Sequence, residues 1–474
     1  MSLLVFSLLI AQALCNGSLM GYLTYDEVIA HIQDLGQEEG VEIGEMGRTL
    51  LNRPIPYVKI GNSGPTVLVL AGTHPHELLA EAFLLAALDE VLKKPIRSLE
   101  IYFVPVFNID GYAAMTEAYA KTGQVDGYRK NLREGTCTLA ISHGVDLNRN
   151  YDFMWGVDNL GSSEHECMED YRGTEAFSEP ETRSMKEFFE EHEFALMLTY
   201  HAYGNFYITP FNYIAESAAG LYHSLGDYAY YRNLKNIVPR SAKVGNAFEL
   251  LGYYANGVFV DWAYHKGAIS LAIELGDEFR PINPQPDISE HLPTFWTFLN
   301  STIPEVRLNS SIETAGDMGN CSVTLYNPSL SDIPDAKLVF EFDLGVDISE
   351  VFCSVMVSHL IEADRATIAI GTLKRLSSIS CTASAQFSSV PSFGISFSSA
   401  YFNIYNEKDS VFAKYFSVGA VALLVFAGLA IIGALLIFGK CLFDYSNSSL
   451  KFQELTTEEL GDIELPAKAD PFPL

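Results

Sequence analysis

The sequence predicts an α/β fold on an open, mostly parallel sheet, followed by a small all-β sandwich and one transmembrane helix. Three observations lead there. Apolar-rich runs of strand length, unbroken at residues 65–70, alternate with a helix-length run in the N-terminal part; residues 301–405 change to short runs of alternating polar and apolar residues; and residues 416–438 form an apolar stretch without a charge. The 474 residues, 48% of them hydrophobic, suffice for one domain of roughly 280 residues, a second small one and a membrane segment.

Taken in order, residues 3–14 are a short apolar core, followed by Ala13-Leu14-Cys15, small residues at the spacing a signal peptidase accepts. No Lys or Arg precedes that core, yet 1–15 reads as a signal peptide. Residues 65–70, Pro-Thr-Val-Leu-Val-Leu, fit a buried parallel strand, and 77–92 read as a helix with apolar positions at helical spacing. Further strands are read at 99–105, 194–200 and 269–273. The first runs into Phe107-Asn108, the second ends at His201 and the third at Glu274. Ligands of open α/β sheets bind at the carboxyl ends of strands, so polar residues at four such ends predict one pocket.

His74 and Glu77, in Thr73-His74-Pro75-His76-Glu77, fall at the first strand-to-helix turn, and His201 lies far downstream. Two imidazoles and a carboxylate suit a catalytic zinc, because three protein ligands leave a fourth position open for water. A hydrolytic metal centre is therefore expected.

Beyond the triad, the chain carries Pro105-Val-Phe-Asn-Ile-Asp-Gly-Tyr112, Tyr128-Arg-Lys-Asn131, Gly144-Val-Asp-Leu-Asn-Arg-Asn150, Tyr171-Arg-Gly-Thr174, Phe177-Ser-Glu-Pro-Glu181, Asp261-Trp-Ala-Tyr264 and Ile273-Glu-Leu275. In this order, from about residue 22 to 284, they resemble the zinc metallocarboxypeptidases typified by carboxypeptidase A. The resemblance implies a mixed sheet with helices on both faces over residues 16–300. It implies one zinc held by His74, Glu77 and His201, with Glu274 as general base and Arg129 stabilising the oxyanion. Asn148 and Arg149 would hold the substrate's terminal carboxylate, which a guanidinium fork can bond through both oxygens. Tyr253 would close over the bound end, although adjacent Tyr254 leaves the register open by one residue. His76 departs from the Arg of the carboxypeptidase A branch and the Asn of the regulatory branch. Val260, just before Asp261, stands where an acidic residue reads basic side chains in the carboxypeptidase B type. Val260 supplies no charge to pair with Lys or Arg, so apolar or aromatic C-terminal residues are the expected preference. Residues 22–32 resemble the first helix of the mature enzymes, which leaves little room for a long activation segment.

The all-β stretch, 301–405, fits an antiparallel sandwich. It lies where regulatory-type carboxypeptidases carry a transthyretin-like domain, and a role as stalk or packing partner is expected. A linker (406–415) leads to the predicted transmembrane helix, 416–438, and to a cytosolic tail, 439–474. With the signal peptide this gives a type I membrane protein whose catalytic domain is extracellular or lumenal. The tail is acidic, its composition fits disorder, and Asp470-Pro-Phe472 resembles a short motif bound by adaptor proteins of endocytosis. Cys137 and Cys167 flank the Asn148-Arg149 loop and could staple it, while Cys321, Cys353 and Cys381 leave one thiol unpaired. Sequons begin at Asn300, Asn309 and Asn320. A formal charge of −29 argues against nucleic acid as a partner.

The leading expectation is a membrane-anchored, zinc-dependent exopeptidase acting on peptide or protein C-termini. A zinc hydrolase of N-acyl amino acids or peptidoglycan stems is a second reading. A silent receptor or adhesion glycoprotein is a third, disfavoured because a binding module has no need of Glu274.

Overall fold

The structure, a computed structural model, describes residues 17–406 apart from 126, 139–142, 316–317, 343–346, 363–364, 387–392 and 400–401, together with 416–417. The predicted signal peptide, cytosolic tail and all but the first two residues of the predicted transmembrane helix lie outside these. Among the described residues no helix is long and apolar enough to cross a membrane.

The catalytic-type domain opens with helix α1 (Tyr25–Leu35), started by a capping box in which Thr24 and Glu27 satisfy each other's backbone N–H. Strands β1 (Val41–Arg48), β2 (Pro54–Ile60) and β3 (Thr66–Leu70) lead to helix α2 (Leu78–Lys93). There follow β4 (Glu100–Val104), α3 (Ile109–Thr122), α4 (Pro180–Glu191), β5 (Phe194–Ala202), β6 (Phe206–Ile208), α5 (Leu225–Asn233), β7 (Lys243–Gly245), α6 (Ala247–Leu251), α7 (Phe259–His265), β8 (Ile269–Leu275) and α8 (Gln285–Thr302). The eight strands form one sheet in the order β1-β2-β4-β3-β5-β8-β6-β7. Its centre is parallel: β3 pairs with β4 and β5, and β5 with β8. The flanking pairs β1–β2, β2–β4 and β6–β8 are antiparallel.

Helices cover both faces, which is why the central strands are mostly apolar. On one side Phe83 of α2 packs against Tyr200 and against Phe295 of α8. On the other Phe189 of α4 packs against Phe194 and against Trp262 of α7. A register shift in β5 between Phe194 and Leu196 turns those two residues to opposite faces. The chain leaves β3 toward β4 on one side and later returns to β5 on the other, so the strand order reverses at β3.

After α8 the chain forms two antiparallel sheets. One has the order β12-β15-β10-β9, from β9 (Arg307–Ala315), β10 (Met318–Asn327), β12 (Asp347–Cys353) and β15 (Ser377–Gln386). The other runs β13-β14-β11-β16-β17, from β11 (Ile333–Phe342), β13 (Ser358–Glu362), β14 (Arg365–Leu373), β16 (Phe393–Ser398) and β17 (Phe402–Asn406). Val323, Leu325, Leu338, Phe340, Ile368 and Phe397 fill a core of their own between them. Cys353 and Cys381 are bonded across β12 and β15, and Cys321 is a buried free thiol. Leu330 belongs to the catalytic-type core instead, with its N–H donating to Ser301 O at 2.8 Å. Asn406 pairs with Ile395, level with the start of β14, so β17 ends at the opposite end of the sandwich from the turn that leads out of Leu373.

Candidate active site and metal centre

The exits of β3, β5 and β8 meet in one cleft. Gly72 makes the β3 exit possible. Its φ is +67°, and a Cβ there would stand 2.8 Å from the Val106 Cα, so only glycine lets the two exit loops pack together. Asn108 N then donates to Gly72 O at 2.8 Å, and the Asn108 carboxamide caps α3 through Gly111 N. The loop so fixed presents His74, with Glu77 at the start of α2.

His201 closes the triad from the end of β5. His74 Nδ1 lies 2.7 Å from Glu77 Oε1, His201 Nδ1 2.9 Å from Glu77 Oε2, and the two Nδ1 atoms are 3.3 Å apart. All three residues are buried. The far nitrogens have partners: His74 Nε2 is 3.2 Å from Asp146 Oδ1, and His201 Nε2 is 3.2 Å from Thr199 Oγ1. With Nε2 donating, each Nδ1 keeps its lone pair for the centre of the triad. Donors about 2.0–2.1 Å from a tetrahedral ion stand about 3.3 Å apart, and the imidazole separation matches that edge. The set fits zinc in donor type and number and in the spacing of the imidazole pair, while the Glu77 oxygens stand closer, at 2.7 and 2.9 Å.

Asp146 received no role from the sequence and proves central. Besides His74, it accepts from Arg129 Nε at 3.2 Å and Nη2 at 2.8 Å, and its Oδ1 takes Asn148 N at 2.9 Å. Burial opposes its charge, but Arg129, Arg149 and His74 hold the carboxyl well below the ordinary range. Burial likewise opposes the Arg129 charge, and Asp146 and Glu77 more than restore it. The Arg129 Nη1 is 3.9 Å from Glu77 Oε1, so this guanidinium borders the triad.

Asn148 and Arg149 follow on a 3₁₀ turn, Leu147–Arg149, opened by Asp146. Arg149 Nε donates to Gly161 O at 3.1 Å and Nη1 to Asn148 O at 2.8 Å, while Asn148 Oδ1 accepts Phe259 N at 3.0 Å. The Cys137–Cys167 disulfide is formed beside these loops. Tyr253 lines the cleft and is 49% exposed, whereas Tyr254 stacks on Phe248 with centroids 4.8 Å apart. Of the two tyrosines, the one facing the cleft is Tyr253.

Val260 lies at an apolar end of the cleft with Ile208, Ala247, Leu251, Ala255, Val258 and Ala272. Asn212 is the polar residue among them, and its groups are engaged. Nδ2 donates to Asp261 Oδ1 at 2.7 Å, and Oδ1 accepts Ala247 N at 2.7 Å. Burial pushes the Asp261 carboxyl up to about 7. The sequence had singled out Val260 alone; Asn212 gave no signal because its partners, Ala247 at the start of α6 and Asp261 in α7, are distant in the chain.

Glu274 ends the set, opposite His201 in the β5–β8 register and lining the same cleft. Burial and the charge of Glu77 push its carboxyl up to about 7. His76, beside the triad, packs edge-on against Phe279 at 4.6 Å, and burial lowers its pKa to about 4, so it is uncharged at neutral pH.

The zinc carboxypeptidase family pattern matches residues 28–297. The chain is 30% identical over 276 residues to zinc carboxypeptidase A 1 of Anopheles gambiae, covering 55% of this chain and 60% of that one. It is 29% identical over 244 residues to carboxypeptidase B of Helicoverpa zea, covering 47% and 54%. It is 26% identical over 311 residues to carboxypeptidase A2 of Mus musculus, covering 62% and 72%. The chain thus spans little more than half the length of the first two relatives. Among solved structures, bovine thrombin-activatable fibrinolysis inhibitor in complex with tick carboxypeptidase inhibitor aligns with TM-score 0.49 and 26% identity, covering 59% of this chain and 96% of that one. Carboxypeptidase A from Helicoverpa armigera aligns with TM-score 0.49 and 26% identity, covering 59% and 72%. With the family pattern spanning more than half of its length and the His74, Glu77 and His201 donors inside that span, the chain belongs to the zinc carboxypeptidase family.

Proposed function

We propose that the protein is a zinc-dependent exopeptidase that removes C-terminal residues, preferring apolar or aromatic ones. The observation that carries this reading is that one cleft combines a cationic and amide pair, Arg149 and Asn148, and an uncharged apolar end with the metal-ligand triad and a carboxylate. A substrate carboxylate is held by Asn148 and Arg149, and the last side chain enters the apolar end beside Val260. The last peptide bond then lies by the triad, between Glu274 and Arg129. Zinc held by His74, Glu77 and His201 supplies Lewis acidity toward a carbonyl and toward water. Glu274 takes the proton of the attacking water and passes it to the departing amine. Arg129, kept charged by Asp146, faces the carbonyl oxygen as negative charge develops there. Tyr253 covers the bound end.

The test is hydrolysis of blocked dipeptides ending in Phe, Leu, Arg or Glu by the purified full chain, with and without chelator. Chelator-sensitive cleavage favouring Phe and Leu is expected. No cleavage of any substrate by zinc-loaded protein overturns the exopeptidase reading, and preference for Arg overturns only the part assigned to Val260. Glu274→Gln should keep its zinc and lose turnover by at least about 10²-fold.

The cell-level reading is a type I membrane glycoprotein with the catalytic domain outside or in a lumen. It is supported by the signal-like residues 1–15, the uncharged stretch 416–438, two disulfides, and exposed sequon residues Asn300, Asn309 and Asn320. Adaptor proteins at the cytosolic tail remain part of that reading, carried by Asp470-Pro-Phe472. Carbonate extraction of cell membranes tests the anchor: release of the full chain into the soluble fraction overturns it.

A further inference from the structure

The turn between β14 and β15, residues 374–376, reaches out of the sandwich into the catalytic-type domain. Asp332 shapes this turn, accepting Arg375 N at 2.9 Å and Lys374 Nζ at 2.7 Å. Leu376 packs on the catalytic-type core, and Gly226 permits the approach, since a Cβ there would stand 2.2 Å from Leu376 O. The Arg375 side chain is 12% exposed and makes a two-pronged contact with Asp227, Nε to Oδ1 at 3.2 Å and Nη2 to Oδ2 at 2.9 Å. Its Nη1 also donates to Gly267 O.

Both targets lead to α7. Asp227 Oδ2 accepts the Tyr264 hydroxyl at 2.8 Å, and Tyr264 lies in the last turn of α7. Gly267 lies in the short connection from α7 to β8, the strand that carries Glu274. At its other end α7 holds the carboxylate-binding loop through Phe259 N and Asn148 Oδ1. Between the two ends sit Val260, in the apolar end of the cleft, and Asp261, which fixes Asn212 there. A seven-residue helix has few hydrogen bonds of its own to define its position, so contacts at its ends act beside its buried packing and the Ser270 hydroxyl, which donates to Val260 O at 2.7 Å, in setting where Val260 stands.

We propose that Arg375 is a positioning residue for the specificity end of the cleft: through Asp227, Tyr264 and Gly267 it sets the placement of α7, and the sandwich is thereby a working part of the site rather than a spacer. The proposal rests on reading that cleft as the pocket for a C-terminal residue. A fork of two bonds on a buried carboxylate is geometrically specific in a way a lysine ammonium is not. Residues along such a connection shift the energetics of a distant site without touching its ligand.

The experiment uses the zinc-loaded full chain and two readouts: calorimetric binding of free L-alanine, L-leucine and L-phenylalanine, and KM and kcat on blocked dipeptides ending in the same residues. Arg375→Ala should weaken L-leucine and L-phenylalanine binding and raise the matching KM values by about three- to thirtyfold, change the alanine values least, and leave kcat and zinc content near those of the parent. Arg375→Lys should fall between. Tyr264→Phe should repeat the effect, and adding it to Arg375→Ala should add little, as for two members of one connection. Because Arg375→Ala strands the buried Asp227 carboxylate, Arg375→Met with Asp227→Asn removes both charges, and the same loss of leucine and phenylalanine selectivity is expected of it. Melting temperatures that fall while affinities, KM values and selectivity stay at parent levels overturn the proposal and leave Arg375 a plain domain joint. A parent that binds the amino acids but cleaves no dipeptide overturns the exopeptidase reading, while the binding data still decide the role of Arg375. A parent that binds none of the three overturns the proposal with the pocket itself.

Discussion

Asp146 joins His74 to Arg129: its Oδ1 stands 3.2 Å from His74 Nε2 while its Oδ2 accepts Arg129 Nη2 at 2.8 Å. One carboxylate thus orients a metal ligand and fixes the cation beside it, and through Asn148 N it also shapes the turn that carries Arg149. Under the proposed function, metal binding and oxyanion stabilisation would share this support.

Replacing that support has a distinct signature. Asp146→Asn keeps the size of the side chain but removes the charge that steadies both His74 and Arg129. Zinc affinity should fall about 10- to 100-fold, the usual cost of losing a partner behind a ligating histidine. Turnover at saturating zinc should also remain depressed, because Arg129 has lost its counter-charge. Competition with a chromophoric chelator measures the first effect and steady-state kinetics the second. An unchanged zinc constant would show that Asp146 does not support the ligand.

The apolar end of the cleft makes a prediction about size. Val260 is 3% exposed, and three alanines, Ala247, Ala255 and Ala272, share the lining, so the room available depends on few atoms. Val260→Ala removes two methyl groups and should shift preference from leucine toward phenylalanine or tryptophan by about tenfold, a difference of one or two methylene-sized contacts. Competition between two dipeptides in one reaction reads the ratio directly. An unaltered ratio would move the determinant to Asn212 or Leu251.

The centre of this design was legible because the central strands are covered on both faces. β3, β5 and β8 read as largely apolar runs, with His74 in the loop just past β3 and His201 and Glu274 the penultimate residues of β5 and β8, where the sheet order makes a pocket. The edges were harder. β1 shows no regular alternation, with Glu42 and Ile43 both exposed, Met46 buried and two glycines within it, and β6 and β7 are three residues each, too short for a period to show. Asp146 was visible as part of a motif but not as a partner of His74, 72 residues away, since only the folded loops bring them together. The choice between Tyr253 and Tyr254 was decided by a stacking contact with Phe248 that no local pattern announces. Arg375, in a turn of the sandwich, carried no signal in the sequence, since only the fold brings it to Asp227, 148 residues away.

Glu181 supplies a prediction about pH. It lies at the start of α4, where Oε1 accepts Leu50 N at 3.2 Å and Oε2 accepts Asn131 Nδ2 at 3.3 Å. The same amide of Asn131 donates to Glu179 at 2.7 Å, and Asn131 Oδ1 accepts Val145 N, tying the Arg129 loop to the Asp146 loop. Burial, with Glu179 close by, pushes the Glu181 carboxyl from 4.5 up to about 7. A folded state that holds this proton more tightly than the unfolded chain gains its stabilisation below pH 4.5 and loses it as pH rises through about 7. The difference corresponds to about 3 kcal/mol at most. Glu181→Gln cannot titrate, so the gap in melting temperature between variant and parent should move in the variant's favour from pH 5 to pH 8. Thermal melts across that range measure the gap, and a gap that stays constant would show that Glu181 ionises in the folded protein as it does in water.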